Sequence, residues 1–360
     1  MTKFGKYARL LAGLLFLIGS LSACAGPAKE RLWLKAPGWG RARMVGNTLV
    51  GHPASMALDD AGNVYIFLIG QEDDALHPRV VALDRQAEIL WDSTYDIELR
   101  RPAHPRILWD GQGLHLFWLS AQGLYHARLG AAAVLSDAPV LLSGEVKVDT
   151  YDVALTPKGR VTVWFAGPRR EPGLYALPLG DLAEEGALVD PLGIRPNLQY
   201  DEQGTLHVSW AHHPPGYEDT RFFYATYPDG LYQPGQETEV VSPILGLTSV
   251  LHGPRLGLDW QRAYLFWTVE VRTGQQAGQV ETNYVHFPLG TPSAVSSVGQ
   301  LFAPTTYRLS YGAFPGGSLA AGDRVPLTSE YNGGTGRIRD VAANFGSEKE
   351  LTIAANIQVD

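Results

Sequence analysis

Imidazole, guanidinium and carboxylate groups recur along this chain at the heads of similar phrases: His52, His104 with Arg106, Asp152, Arg195, His252 with Arg255, and Arg337 with Asp340. Arginine pairs bidentately with planar anions, and histidine exchanges protons near neutral pH. If these groups converged, they would suit carboxylates or sugar hydroxyls; if not, they would bond loop carbonyls and neighbouring acids. His212 and His213, followed by Glu218 and Asp219, offer the donor types of a divalent-ion site. Pro214, Pro215 and Gly216 interrupt them, so a polar loop is expected, with no metal and no cofactor. His115 and His207 lie between apolar neighbours on strand-like runs and are expected to be satisfied inside the fold.

A different chemistry is written at the amino end. Lys3, Lys6 and Arg9 precede an apolar run from Leu10 to Ile18, which leads into Leu21-Ser22-Ala23-Cys24. The order basic, apolar, small is that of a cleaved signal peptide over residues 1–23, and the run is shorter than the ~20 residues of a membrane span. The tetrad resembles the lipobox of bacterial lipoproteins, which implies that Cys24 is acylated and becomes the first residue of the mature protein. Residues 24–29 then form a short lipidated tether. Several acyl chains hold a protein on a bilayer, so the expected location is extracytoplasmic, anchored to membrane lipid at the outer membrane or cell surface. Ala25 stands where an aspartate would favour inner-membrane retention. Removing residues 1–23 takes away three basic and no acidic side chains, so the net charge moves from −8 to −11. Such a surface does not suit nucleic acid. Cys24 is the only cysteine, which excludes an internal disulfide framework.

The elements that must position these groups are strands. With 40 glycines and 24 prolines in 360 residues and 45% hydrophobic composition, short strands and tight turns fit better than long helices. One phrase repeats, most clearly from Arg195-Pro196-Asn197-Leu198 through Asp201 and Gly204 to Leu206-His207-Val208-Ser209-Trp210. Other copies run from His52 to Phe67, His104 to Trp118, Tyr151 to Phe165, Pro254 to Trp267 and, faintly, Arg337 to Ile353. Leu68, Trp118, Phe165, Trp210 and Trp267 align at separations of 50, 47, 45 and 57 residues. Further strand phrases follow several copies, at Gly123–Ala127, Gly173–Leu177, Phe222–Thr226 and Asn283–Phe287. Four strands per repeat at this period is the pattern of propeller blades.

The phrase Pro-x-Leu-x-x-Asp-x-x-Gly-x-Leu-His-Val-x-Trp, followed by Tyr-x-x-x-x-Asp-Gly, resembles sialidase-like (BNR-type) six-bladed β-propellers over about 300 residues. The family's Asp-box is not matched: Tyr227-Pro228-Asp229-Gly230 carries its aspartate directly before the glycine. The expected fold is therefore all-β, a six-bladed propeller over residues 30–360. Strands at Glu30–Leu34 and Arg41–Val45 would complete the blade begun at Arg337, closing the ring. Seven blades, or a chain truncated at Asp360, are the alternatives. A long insertion spans about 290–336, in the place of a lid over the mouth.

The resemblance implies that loops leading into each innermost strand, with those joining second and third strands, line one mouth of the channel. The first set holds His52, His104, Arg106, Asp152, Arg195, His252, Arg255 and Arg337. The second holds Glu72-Asp73-Asp74 with His77 and Arg79, Arg169-Arg170-Glu171, His212-His213 with Tyr217, and Glu270 with Arg272. A sialidase would need an arginine cluster, a tyrosine activated by glutamate and an acidic aspartate. Arg106-Ile107 matches two residues of the family's Arg-Ile-Pro phrase, and Glu330-Tyr331 are adjacent, so on a strand they point to opposite faces. No catalytic residue is assigned. The expected function is binding of a glycan or an envelope protein at the mouth by a monomer, without a requirement for catalysis. A sialidase-like glycoside hydrolase and a structural subunit of an envelope complex are the alternatives.

Overall fold

The computed structural model describes Val45 and residues 54–72, 75–130, 133–136, 138–156, 159–168, 170–178, 186–201, 203–213, 220–241, 248–258, 261–271, 274, 277–278, 280–302, 310–312, 324–326, 337–345 and 351–358. The named elements among these residues are all β-strands. The first sheet contains β1 (Ser55–Leu58), β2 (Val64–Glu72), β3 (Ala75–Leu83) and β4 (Ile89–Thr94). The second contains β5 (Arg106–Trp109), β6 (Leu114–Leu119), β7 (Leu124–Leu129) and β8 (Val140–Leu141). The third contains β9 (Thr150–Leu155), β10 (Val161–Ala166), β11 (Leu174–Pro178) and β12 (Ala187–Asp190). The fourth contains β13 (Gly193–Tyr200), β14 (Leu206–His212), β15 (Arg221–Tyr227) and β16 (Thr238–Val241). The fifth contains β17 (Thr248–Leu258), β18 (Arg262–Val271), β19 (Val280–Pro288) and β20 (Gly299–Phe302). Each is an antiparallel meander in chain order.

Two further pairs follow. β21 (Ser310–Gly312) pairs with β22 (Arg324–Pro326), and this hairpin belongs to a separate compact unit. β23 (Arg337–Phe345) pairs with β24 (Leu351–Gln358) in the same unit as the five sheets. First strands of successive sheets are neighbours: β1 lies beside β5, β5 beside β9, β9 beside β13, β13 beside β17, and β23 beside β1. Sheets that meet along their first strands in chain order form a β-propeller, and the last strand pair meets the first sheet. Of the amino-terminal strands expected to complete that pair, only Val45 lies among the described residues.

The core is a series of layers between sheets. Phe67, Ile69 and Val80 pack on Ile107, Leu114 and Trp118 between the first and second sheets. Phe117 and Leu119 pack on Val153, Val163 and Phe165 between the second and third. Trp164 and Leu174 meet Leu206 and Trp210, and Phe222 and Tyr224 meet Leu265 and Trp267, in the next two layers. Second strands are therefore covered on both faces, which is why β6 (LHLFWL) and β10 (VTVWFA) are buried at every residue and show no polar alternation. The aligned Leu68, Trp118, Phe165, Trp210 and Trp267 are all at most 3% exposed.

In the first, second and fourth sheets the aspartate and glycine of the repeated phrase close the first turn. Asp110 accepts from the Gln112 and Gly113 amides, both at 2.7 Å, and Asp201 accepts from the Thr205 amide at 2.8 Å. Thr156 does the same for Arg160 in the third sheet. These carboxylates also receive a second-strand side chain: Tyr65 donates to Asp59 at 2.9 Å, His115 Nε2 to Asp110 at 2.9 Å, and His207 Nε2 to Asp201 at 3.1 Å. With Nε2–H used in that way, His115 Nδ1 accepts from His126 Nε2 at 2.9 Å and His207 Nδ1 from the Tyr224 hydroxyl. The two strand histidines thus have partners on both ring nitrogens.

That network has a pH signature. Burial, the neighbouring His115 and Arg128 push His126 down to about 3, and burial lowers His115 and His207 against the pull of their aspartates. In the unfolded chain these rings titrate at their ordinary value of 6.5. The stability they contribute is complete above that pH and is lost as pH falls toward the folded values. Urea midpoints measured from pH 7 to pH 4 are expected to fall steadily. His126→Gln should flatten the slope by one proton, about 1.4 kcal/mol per pH unit; an unchanged slope would contradict a neutral buried His126.

Candidate functional site

The strand ends that face the channel are stitched to one another by the residue that precedes the first apolar position. Ser55 Oγ accepts the Ile107 amide of the next sheet at 3.1 Å. Asp152 accepts from the Leu198 amide at 2.9 Å and the Asn197 side chain at 2.8 Å, while Asn197 accepts the Leu256 amide at 2.6 Å. Between the second and third sheets the link is ionic, from Arg106 Nε to Asp152 at 3.5 Å. Arg106 and Asp152, expected as ligand contacts, are thus engaged in joining sheets; Asp152 is buried.

The residue before the proline of the phrase behaves differently. His104 and Arg195 hold φ of 46° and 55°, a left-handed conformation that costs a side-chain-bearing residue of order 1–2 kcal/mol. At the same place in the fifth sheet stands Gly253, φ 109°, where an added Cβ would lie 2.8 Å from that of Trp267. Glycine is the unstrained solution there. At 104 and 195 a side chain is kept in spite of the strain. Both conformations are held by the third sheet: Tyr151 donates its hydroxyl to the His104 carbonyl, and Thr150 Oγ1 accepts the Arg195 amide at 3.1 Å. The register of β13 on β14 shifts across Arg195-Pro196, a bulge that re-aims the arginine relative to regular pairing.

Arg195 borders a small open cleft of about 50 Å³ between the third, fourth and fifth sheets. Its other walls include Asp149, Thr150, His213, Thr220 and Val250. All belong to strand ends or connections on the side of the chain that leads into the first strands, where sequence reasoning placed the mouth. Arg100 fixes one wall through the Val148 carbonyl at 2.6 Å and the Asp149 carbonyl at 3.1 Å. His213 is buried, and its Nδ1 lies 3.1 Å from Thr220 Oγ1, which sets the ring's orientation. The lining therefore includes one arginine, one oriented imidazole, small hydroxyls and the Asp149 carboxylate, which lies 3.3 Å from the Arg100 guanidinium. Among the described residues no cluster of three or more histidine, cysteine or acidic side chains could hold a metal ion.

Of the paired histidines, His213 lines the cleft and His212 does not. His212 ends β14 on the same face as Trp210, and both donate to Asp190, at 2.9 Å each. Strand parity was the available signal: buried Trp210 places 212 on its own face and 211 and 213 on the other. His77 and Arg79 are not in a mouth loop. They lie inside β3, and Arg79 Nε is paired with Asp92 of β4 at 2.6 Å. Arg255 lies on β17 and is exposed; His252 is on the same strand and Arg337 begins β23. His52, Cys24, Arg169, Tyr217, Glu218 and Asp219 lie outside the described residues.

The sequence matches no protein-family model and none of the curated proteins. Solved structures align over most of its length. A polysaccharide lyase of family PL25, an ulvan lyase bound to GlcA(1-4)Rha3S, superposes with a TM-score of 0.56 and 12% identity, covering 88% of this chain and 95% of the lyase. The polysaccharide lyase Uly1 gives 0.55 and 8%, covering 93% and 95%. At these identities the common property is the fold.

Proposed function

We propose that this chain is a lipid-anchored extracytoplasmic propeller that binds an acidic glycan at its mouth, with Arg195 taking an anionic substituent. The observation that carries this reading is Arg195 itself, strained into a left-handed bulge on the wall of the cleft it shares with His213. A cleft of about 50 Å³ holds a carboxylate, a sulfate or a few waters, so sugar rings would lie outside it along the mouth. The fold neighbour's saccharide carries both kinds of group, a uronate in GlcA and a sulfate in Rha3S. Anchoring rests on the Leu21-Ser22-Ala23-Cys24 tetrad.

A second reading is favoured by the pairing of Arg195 with an oriented imidazole. In a uronate lyase, Arg195 would neutralise the carboxylate and His213 would accept the proton from C5. The C4–O bond would then break, leaving a C4=C5 double bond, and water would protonate the departing oxygen.

Both readings are tested on the chain lacking residues 1–23 with Cys24→Ser. It is expected to bind uronate-bearing polysaccharides saturably and neutral ones at least tenfold more weakly, and Arg195→Ala should remove that preference. Equal binding to neutral glycans would overturn the acidic-glycan reading. Rising ultraviolet absorbance from an unsaturated uronate, lost in His213→Ala while binding persists, would establish the lyase; binding without that signal would leave a binding module.

A further inference from the structure

We infer that the outer edge of the first sheet is a bilayer-contacting surface, which sets the orientation of the anchored protein. The inference rests on the lipid-anchor reading of Cys24. β4 is the outermost strand of its sheet and begins Ile89-Leu90-Trp91. Ile89 is 46% and Leu90 51% exposed, an unusual pair of neighbouring aliphatics on an open edge, where charged residues are the common protection. Trp91 is half-buried beside them, its ring tilted against Tyr65 with centroids 5.9 Å apart, and both pack on the core between the first and second sheets, which anchors the strand that carries the two aliphatics. The charge that β4 does carry, Asp92, is neutralised by Arg79.

The occupant is indicated by where the chain comes from. Cys24 precedes Val45 by 21 residues, and Val45 packs on Ile66, Leu68, Val81 and Leu83 of this first sheet. The segment carrying the anchor therefore joins the body at the sheet that holds the exposed apolar edge. A mature chain whose net charge has moved from −8 to −11 by loss of three basic residues gains nothing from anionic lipid, so the contact is apolar and favours neutral phospholipid.

The test uses the full chain expressed in bacteria, purified from membranes and reconstituted into phosphatidylcholine vesicles. Acylation consumes the Cys24 sulfur, so Leu90→Cys supplies one reactive thiol for an environment-sensitive dye. Lys147→Cys, at a side chain 77% exposed on the connection into β9, is the mouth-side control. The dye at 90 is expected to brighten several-fold with a blue shift, and the dye at 147 to keep its value in water. Equal responses, a response at 147 alone, or self-association abolished by Leu90→Asp without any dye response would overturn the inference. Mass measurement of the amino-terminal peptide reports acylation separately. If Cys24 proves unmodified, the anchor reading fails, and both cysteine variants are remade without residues 1–23 and with Cys24→Ser, labelled and added to vesicles as free chains. A response at 90 alone then sustains the surface, and silence at both overturns it.

Discussion

Replacing Arg195 with glycine is expected to leave the protein as stable as the native chain, or up to about 1 kcal/mol more stable, while binding of acidic glycans falls roughly thirtyfold. The two effects have different sources. Glycine adopts φ near 55° without the Cβ clash that burdens arginine, although its greater freedom in the unfolded chain offsets part of the gain. Loss of the guanidinium removes a charge-assisted contact worth about 2 kcal/mol, which is the binding defect. Arg195→Ala should bind as poorly but keep the strain, and so be no more stable than native. A purely structural Arg195 would give the opposite pattern, with stability falling in both variants and binding following it. Urea midpoints and glycan titrations on the three proteins separate the cases.

Asp152→Ala is expected to be the most destabilising single change at the channel, at about 3 kcal/mol. The carboxylate serves three donors from two other sheets: the Leu198 amide, the Asn197 side chain and the Arg106 guanidinium. Truncation leaves those donors facing a buried site without an acceptor. Asp152→Asn keeps an acceptor for one of them and should lose less. Removing Arg79 from its half-exposed pair with Asp92 should cost under about 1 kcal/mol, because an exposed pair is screened and entropically expensive to hold. A loss at Asp152 no larger than that at Arg79 would contradict its role as the link between sheets.

The first two strands of the first four sheets were legible in the sequence because their turn has demanding chemistry. An aspartate or threonine must cap it, a glycine must take positive φ, and the second strand must be apolar on both faces. Third and fourth strands were less visible. β3 contains His77, Pro78 and Arg79, which read as a polar loop, yet its partners β2 and β4 hold it as a strand, and the Pro78 carbonyl accepts the Tyr95 amide at 2.9 Å. The strand positions of the candidate site residues were legible, but not their roles. Nothing in the letters distinguishes Arg195, strained at a cleft wall, from Arg106, which reaches across to Asp152. The separation depends on where a bulge falls and which neighbour lies a sheet away. His213 could have been chosen over His212 by parity with Trp210; Thr150 and Asp149 reach the cleft only through the packing of the third sheet on the fourth.

Where an acidic ligand sits decides the role of Arg195. A crystal structure of the chain lacking residues 1–23, with Cys24→Ser, soaked with the acidic oligosaccharide it binds best, is the most direct measurement. The expected result is an anionic substituent of the sugar in the cleft, within hydrogen-bonding distance of Arg195 and beside His213. Saccharide bound on an outer strand, or at the mouth with Arg195 turned away, would contradict it.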